Sequence, residues 1–255
     1  MAMTRRALLI SNPGEVGEEN YCKGVYVDIK NYQRLMTSSV GGAWELGEIQ
    51  HLDRPSRADV RWWLKAFSVH DYVLVMFTGH GWYSSTDKDR ILILRKGEEI
   101  ASMELNQGAI KRTIILDCCQ VVYHESIEKV AKHMIFANEA RMRITPNRDT
   151  CRRLFFGRLE KTTNEIVRMK SCAIDEKSGD DEERGGRYNG SLFECVDDWV
   201  EWHASGRADA NNSVLSVVQA HVCATEKTIA LSEGNQNPKI SKPKEPPYFP
   251  FAVFG

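Results

Sequence analysis

Two short runs constrain this chain more than anything else in it: Tyr72-Val73-Leu74-Val75-Met76-Phe77-Thr78-Gly79-His80-Gly81 and Arg112-Thr113-Ile114-Ile115-Leu116-Asp117-Cys118-Cys119. Both are almost wholly apolar and rich in β-branched residues, the pattern of strands buried on both faces, as parallel strands flanked by helices are. Each run is expected to stop abruptly at a residue able to do chemistry, and open α/β sheets bind ligands beyond the carboxyl ends of their strands. A histidine ending one such strand and a cysteine ending the next would face a common crevice. That is the geometry a thiol nucleophile and its proton partner need.

The remaining periodicities fit strands alternating with helices. Arg6–Ser11 reads as a buried strand closed by Asn12-Pro13-Gly14. Val25, Ile29, Tyr32 and Met36 recur at helical spacing between Gly24 and Gly41-Gly42, and Trp44–Leu52 alternates loosely, as a less buried strand does. Ser56 and Asp59 form a capping box ahead of the stripe Val60, Trp63, Leu64, Phe67. Arg90–Leu94 and Glu99–Met103 predict a hairpin turning at Gly97. A third helix is expected over Glu125–Asn138, a strand over Ile166–Cys172 and a polar loop over Asp175–Glu183. Leu192, Cys195, Val196, Trp199 and His203 mark a helix; Val214, Val217, Val218 and His221 mark another, capped by Asn211-Asn212-Ser213. A proline-rich extended tail leads into the apolar run Phe249–Phe254. Arg141–Lys161, crowded with arginines and holding Pro146 and Gly157, is expected to be a linker or exposed loop. The order predicts an α/β fold with a mostly parallel sheet, helices on both faces and one β-hairpin.

Bulk properties narrow the function classes. At 255 residues and 42% hydrophobic, the chain suits a single domain able to bury its own core. A formal charge of -1 gives no electrostatic case for nucleic acid or for an anionic membrane. The apolar stretch after Arg5-Arg6 is too short for a signal-peptide core, and no run reaches transmembrane length. Seven cysteines, an odd number without CxxC pairs, fit a reduced compartment better than a disulfide scaffold, so a soluble cytoplasmic protein is expected.

Acyl transfer by a thiol needs a base or positive neighbour for the sulfur and N–H donors for the developing oxyanion. Gly79 and Gly81 flank His80 and leave the backbone free to turn there, so the amides of Gly81 and Cys119 could form such a donor pair. Taken singly, His80 is as easily a hydrogen-bonded structural residue and Cys119 a packing residue. A metal site from His80, Cys118, Cys119 and His124 is a weaker alternative, because adjacent cysteines strain a tetrahedral ion and no CxxC pair supports them.

The run Phe77-Thr78-Gly79-His80-Gly81 resembles the "[F/Y]-S-G-H-G" block of metacaspases and bacterial caspase-like peptidases, and Asp117-Cys118-Cys119 resembles their "D-[S/A]-C" nucleophile block. Arg6–Ile10 is similar to their opening strand, Gly24-Val25-Tyr26-Val27-Asp28 to the "L-x-G-x-x-x-D" helix start, and Gly186-Arg187-Tyr188-Asn189 to the late "G-x-[F/Y]-T" block. The resemblance spans nearly the whole chain. It implies one caspase-like three-layer α/β/α domain over residues 1–255, with a large-subunit-like part at 1–140, a linker at 141–165 and a small-subunit-like part at 166–255. It also implies a cysteine endopeptidase without a cofactor or bound metal. His80 would protonate the leaving amine, and Cys119 would be the nucleophile, favoured over Cys118 by the D-x-C spacing. Asp28, Asp117 and Thr78 would line a pocket that selects arginine, then lysine, before the cut. Gln120-Val121-Val122 depart from the family's "x-S-G" after the nucleophile, which leaves a caspase-fold binding protein without catalysis as the alternative. The acidic run that binds calcium in many metacaspases is not evident, with only Asp87 and Asp89 nearby, so no calcium requirement is expected. The resemblance further implies protein substrates and suggests a role in bacterial suicidal defence through a partner such as a gasdermin-like pore-former; self-cleavage within 141–165 follows as a hypothesis if the pocket prefers Arg, a basic solvated loop being the plainer account. It leaves the oligomeric state open.

Overall fold

The structure, a computed structural model, describes residues 3–119, 145–207 and 212–255, with Cys119 described by its backbone alone. In chain order its first half comprises β1 (Arg5–Asn12), α1 (Gly24–Thr37), β2 (Ile49–Asp53), α2 (Arg57–Ala66), β3 (Tyr72–Ser84), β4 (Asp89–Arg95), β5 (Glu98–Ala101) and β6 (Lys111–Cys119). The second half comprises α3 (Arg148–Lys161), β7 (Ile166–Lys170), β8 (Asp180–Asp181), β9 (Gly185–Gly186), α4 (Arg187–Ala204), β10 (Val214–Ser216), α5 (Val217–Leu231), β11 (Lys239–Ser241) and β12 (Pro250–Val253).

Strands β2, β1, β3, β6 and β7 lie side by side and parallel, in that order. β11 adds antiparallel to β7, and the β4–β5 hairpin pairs antiparallel with the far end of β3. Alternation along the strands divides the core into two layers. Ala7, Leu9, Leu74, Met76 and Ile115 pack with residues of α1, α3, α4 and α5. Leu8, Ile10, Val75, Phe77, Ile114, Leu116 and Cys118 pack under α2 and the hairpin. The mostly parallel three-layer fold expected from the sequence is the one observed. The helix expected over Glu125–Asn138 lies outside the described residues.

Several local expectations are corrected. β3 does not end at His80; it continues to Ser84, because β4 pairs with Gly81–Ser84 and extends it. Gly79, at φ 145°, lets β3 lie against β1 rather than turn: a Cβ there would sit 2.3 Å from the Asn12 carbonyl oxygen. Trp44 is not in a strand, which begins only at Ile49; Leu46–Glu48 form a 3₁₀ turn that points Glu48 inward. Arg148–Lys161 is helix α3, not a loop. Cys151, Phe155 and Leu159 recur every fourth residue and bury one face, while Arg152 reaches across to Glu48 at 2.7 Å. The cap of α5 is Ser216, in a reciprocal box with Gln219, and Val214–Ser216 pairs with β12 instead of entering the helix. The capping box at Ser56 and Asp59 is present as expected. Cys195 on α4 and Cys223 on α5 form a disulfide, with Cα atoms 6.1 Å apart. A 28-residue separation hides that pair from the sequence, and the helix packing makes it. No described helix is long and apolar enough to cross a membrane.

Glu48 anchors the β1 end of this core. The Arg5 guanidinium is fully buried between the rings of Trp44, Phe155 and Phe156, at 4.1, 4.7 and 4.7 Å. Burial pulls its pKa down to about 10 against the opposing pull of Glu48, which lies 3.2 Å away. Removing one partner of a buried ion pair strands the other, at about 3–5 kcal/mol. Glu48→Gln is expected to lower the unfolding free energy by about 3 kcal/mol. In a thermal melt that reads as a Tm drop of about 10 °C.

Candidate active site

The β3–β6 register sets the site. Pairing runs unbroken from Tyr72 opposite Lys111 to His80 opposite Cys119, so the last pair sits on neighbouring strands about 4.8 Å apart at the carboxyl edge of the sheet. The two residues that the sequence singled out are thus brought together. Other described histidines are engaged elsewhere. His51 contacts the Ser11 hydroxyl, His203 the carbonyls of Trp199 and Asn212, and His221 the Tyr188 hydroxyl.

His80 is held from the β1 side. Its Nε2 lies 3.2 Å from the Pro13 carbonyl oxygen, and a side chain on Gly14 would abut the ring. Burial pulls the imidazole pKa down, but the Cys22 side chain beside it and the Pro13 carbonyl outweigh that, and the net shift is upward. Cys22 is buried just ahead of α1, and its amide donates to the Pro13 carbonyl at 2.8 Å. It is a site residue that the sequence reading missed, since nothing in its spacing from His80 announces the contact.

Cys118 turns into the layer beneath the hairpin, where it is 1% exposed and packed with Leu116, Leu92 and Ile100. Burial pushes its thiol up to about 12, despite the nearby Arg90. A thiol so placed is neither an accessible nucleophile nor a ligand in common with His80, which removes it from the metal alternative. His124 of that alternative lies outside the described residues, and so does the side chain of Cys119. Gly81 sits against Cys118: a Cβ there would come 3.1 Å from the Cys118 Cβ and 2.8 Å from the Ile91 carbonyl oxygen.

Beneath His80, Asp28, Asp117 and Thr78 are gathered as the sequence implied, and all three are buried. The Thr78 hydroxyl donates to Asp28 Oδ2 at 2.6 Å, and the Asn189 side-chain amide donates to the same oxygen at 2.8 Å. Asp28 Oδ1 accepts from the Gly186 amide at 3.0 Å. Asp117 accepts from the Ser178 hydroxyl at 2.7 Å and the Asn189 amide at 3.2 Å. Burial, then the Asp117 charge, pushes Asp28 well above the ordinary carboxylate range; burial also raises Asp117. Thr78 therefore acts through Asp28 in this structure. Asp87 and Asp89 close the hairpin instead, Asp87 on Ser84 and Asp89 on Ser102 and Met103.

A family model described as "Caspase domain" matches residues 4–248. The chain belongs to the caspase-domain family. It is accordingly a cysteine-type endopeptidase, a hydrolase acting on protein substrates. The crystal structure of caspase-1 from Spodoptera frugiperda is similar with a TM-score of 0.57, at 11% identity over 94% of this chain and 87% of that one; the likeness bears on the fold. No curated protein matches the chain.

One further acid belongs to this caspase-domain site. Asp180 on β8 accepts from the Gly24 amide at 3.2 Å, capping α1 from 156 residues away where Lys23 supplies no side-chain cap. Burial, then Cys22, pushes its carboxyl up to about 7. A sequence reading finds in Asp175–Glu183 only a polar loop, because the partner lies across the fold. A carboxyl raised in the folded state stabilises while protonated, and it loses that contribution as pH climbs from its unfolded value, near 3.8, through about 7. Tm is therefore expected to fall by a few degrees between about pH 5 and about pH 8, and Asp180→Asn to flatten that slope in paired calorimetric scans. Asp197, likewise raised to about 7, contributes a slope of the same sign, so the difference between variant and parent is the readout.

Proposed function

We propose that this caspase-domain protein cuts its substrates after arginine, and less readily after lysine. In this reading Cys119 is the nucleophile, His80 protonates the leaving amine, and the amides of Gly81 and Cys119 receive the oxyanion. The observation that carries the specificity is the acid pair. Asp28 and Asp117 are buried together, their hydrogen bonds come from hydroxyls and amides, and burial holds both above the ordinary carboxylate range. A guanidinium brought to such a pair replaces mutual repulsion with charge-assisted hydrogen bonds, and Arg matches the carboxylate fork better than Lys. The β8–β9 hairpin covers the acids through Gly186, where a Cβ would lie 2.3 Å from Asp117 Oδ2. Admission of a side chain requires that hairpin to lift.

The chemistry follows from the register. The Cys119 thiol gives its proton to His80 as its sulfur attacks the scissile carbonyl, and the carbonyl π electron pair moves onto the oxygen. Collapse then expels the amine, which takes its proton from His80, and water hydrolyses the thioester in a second half-reaction. Support for Cys119 comes from its place opposite His80 and from the burial of Cys118 on the other face. The raised pKa of His80 keeps the imidazolium populated to higher pH, as a proton donor requires.

An Arg-ended fluorogenic peptide is expected to be hydrolysed, a Lys-ended one more slowly and an Asp-ended one not at all. Asp28→Asn and Asp117→Asn should each lower kcat/KM for the Arg substrate by about a hundredfold, the loss of roughly 2–3 kcal/mol of charge-assisted bonding. An Arg-ended chloromethylketone should label Cys119, mapped by peptide mass, and Cys119→Ala should abolish labelling. Cleavage of the Asp-ended peptide alone would overturn the pocket assignment, and absence of any labelling would favour a caspase-fold binding protein.

The basic stretch 141–165 remains a candidate for self-cleavage under this specificity. A peptidase groove takes extended chain, and Arg148, Arg152, Arg153 and Arg158 are held in α3, so Arg141 and Arg143 are the candidate sites. Intact-mass measurement is expected to show a cut after one of them in the parent and none in Cys119→Ala. The resemblance to bacterial caspase-like peptidases supports a defence role with a gasdermin-like substrate. Incubating such a protein with the enzyme and looking for a single cut after Arg tests it.

A further inference from the structure

Trp82 stands two residues beyond His80 on β3, with an indole that is 44% exposed. Alternation puts Thr78, His80 and Trp82 on one face of the strand, while Gly81 faces the buried Cys118 on the other. The indole is not loose. Its Nε1 donates to Glu99 Oε1 at 3.3 Å, which ties one edge of the ring to the hairpin while the residue stays exposed. Trp82 pairs with Ile91, Ile91 with Ala101, and Ile93 with Glu99, so these side chains share the hairpin face on which the indole lies. Ile91 is buried and Ile93 half-buried beside it, giving an apolar shelf continuous with the catalytic edge. The exposed apolar residues Val69 and Ile110 lie at the opposite edge of the sheet, before β3 and β6 begin.

We propose that Trp82, with Ile91 and Ile93 behind it, forms a subsite for the leaving-group side of the substrate and selects an apolar or aromatic residue at the first or second position after the cut. The inference rests on the peptidase reading of His80 and Cys119 but not on the arginine pocket. A group that protonates the leaving amine must stand on the leaving-group side of the scissile bond, within hydrogen-bond reach. The residue before the cut lies on the other side of the scissile bond. What the departing chain meets past His80 is therefore Trp82. Two residues of strand span about 6.6 Å, the length of about two residues of extended substrate, which fixes the contact to the first or second position. A flat aromatic face tethered by its N–H presents area at little cost in side-chain freedom.

The test is cleavage-site profiling of a proteome-derived peptide library by mass spectrometry, with the parent enzyme, Trp82→Ala and Trp82→Phe. The parent is expected to enrich apolar and aromatic residues over Asp and Gly by about tenfold at one of the two positions, the discrimination a single apolar pocket supplies. Trp82→Ala should flatten that column, and Trp82→Phe should keep most of it. Flat columns in the parent, or an enrichment that survives Trp82→Ala, would overturn the proposal. The column before the cut reports the arginine pocket independently. Cuts after other residues, with an apolar preference lost in Trp82→Ala, would sink the arginine reading and leave this one standing. A parent enzyme that cuts nothing in the library would sink both.

Discussion

The carboxylate of Asp28 is where helix α1, strand β3, the β8–β9 hairpin and helix α4 meet, through Thr78, Gly186 and Asn189. Hydrogen bonds to a charged acceptor are worth about 1.5–3 kcal/mol each, and taking a carboxylate out of water costs several kcal/mol. Three neutral donors offset most of that cost, but Asp117 beside it adds repulsion, and burial together with that repulsion raises the pKa of Asp28. The centre of the site is therefore held together by bonds to an acid that would be better satisfied by a cation. In the proposed reading this tension is functional: the substrate's guanidinium completes a network that the closed hairpin completes only in part.

The same network explains what the sequence could and could not reveal. The β-branched runs announced β3 and β6, because a period of two is a local property of the strand. The capping box at Ser56 was legible for the same reason, being written within four residues. Asp180 capping α1, Cys22 touching His80 and the Cys195–Cys223 disulfide are products of packing between distant segments, and no local period encodes them. Helix α3 was hidden differently. Its Cys151–Phe155–Leu159 stripe is present, but the arginines around it read as a solvated loop. Their reach to Glu48 and to the carbonyls of Thr37 and Ala43 is what makes them part of the fold.

Enclosure decides the chemistry of the Cys118 thiol. Cys118 lies among Leu92, Ile100 and Leu116, near Cys172 and the Arg90 guanidinium, and burial raises its pKa even with that cation close by. Arg90 donates to the carbonyls of Cys172 and Ala173 and to the Cys172 sulfur, so its charge holds the start of the 173–179 segment. Desolvation wins over the cation at Cys118 because the group is wholly enclosed, and a Coulomb term of one charge does not repay the lost hydration.

In the proposed reading, the face of β3 that carries Thr78, His80 and Trp82 is a single functional line: support for the acid pocket, proton donor, and apolar shelf. A slip of one residue would present Phe77, Gly79 and Gly81 instead and put the imidazole into the layer beneath the hairpin. Such a slip is opposed from both sides. β3 is paired with β1 through Gly79 and with β6 through His80, and Gly79 fits against Asn12 only because it lacks a Cβ. The glycine beside the histidine is therefore less a hinge than a register pin, and it is the register, more than any side chain of the site taken alone, that decides which residues share the groove.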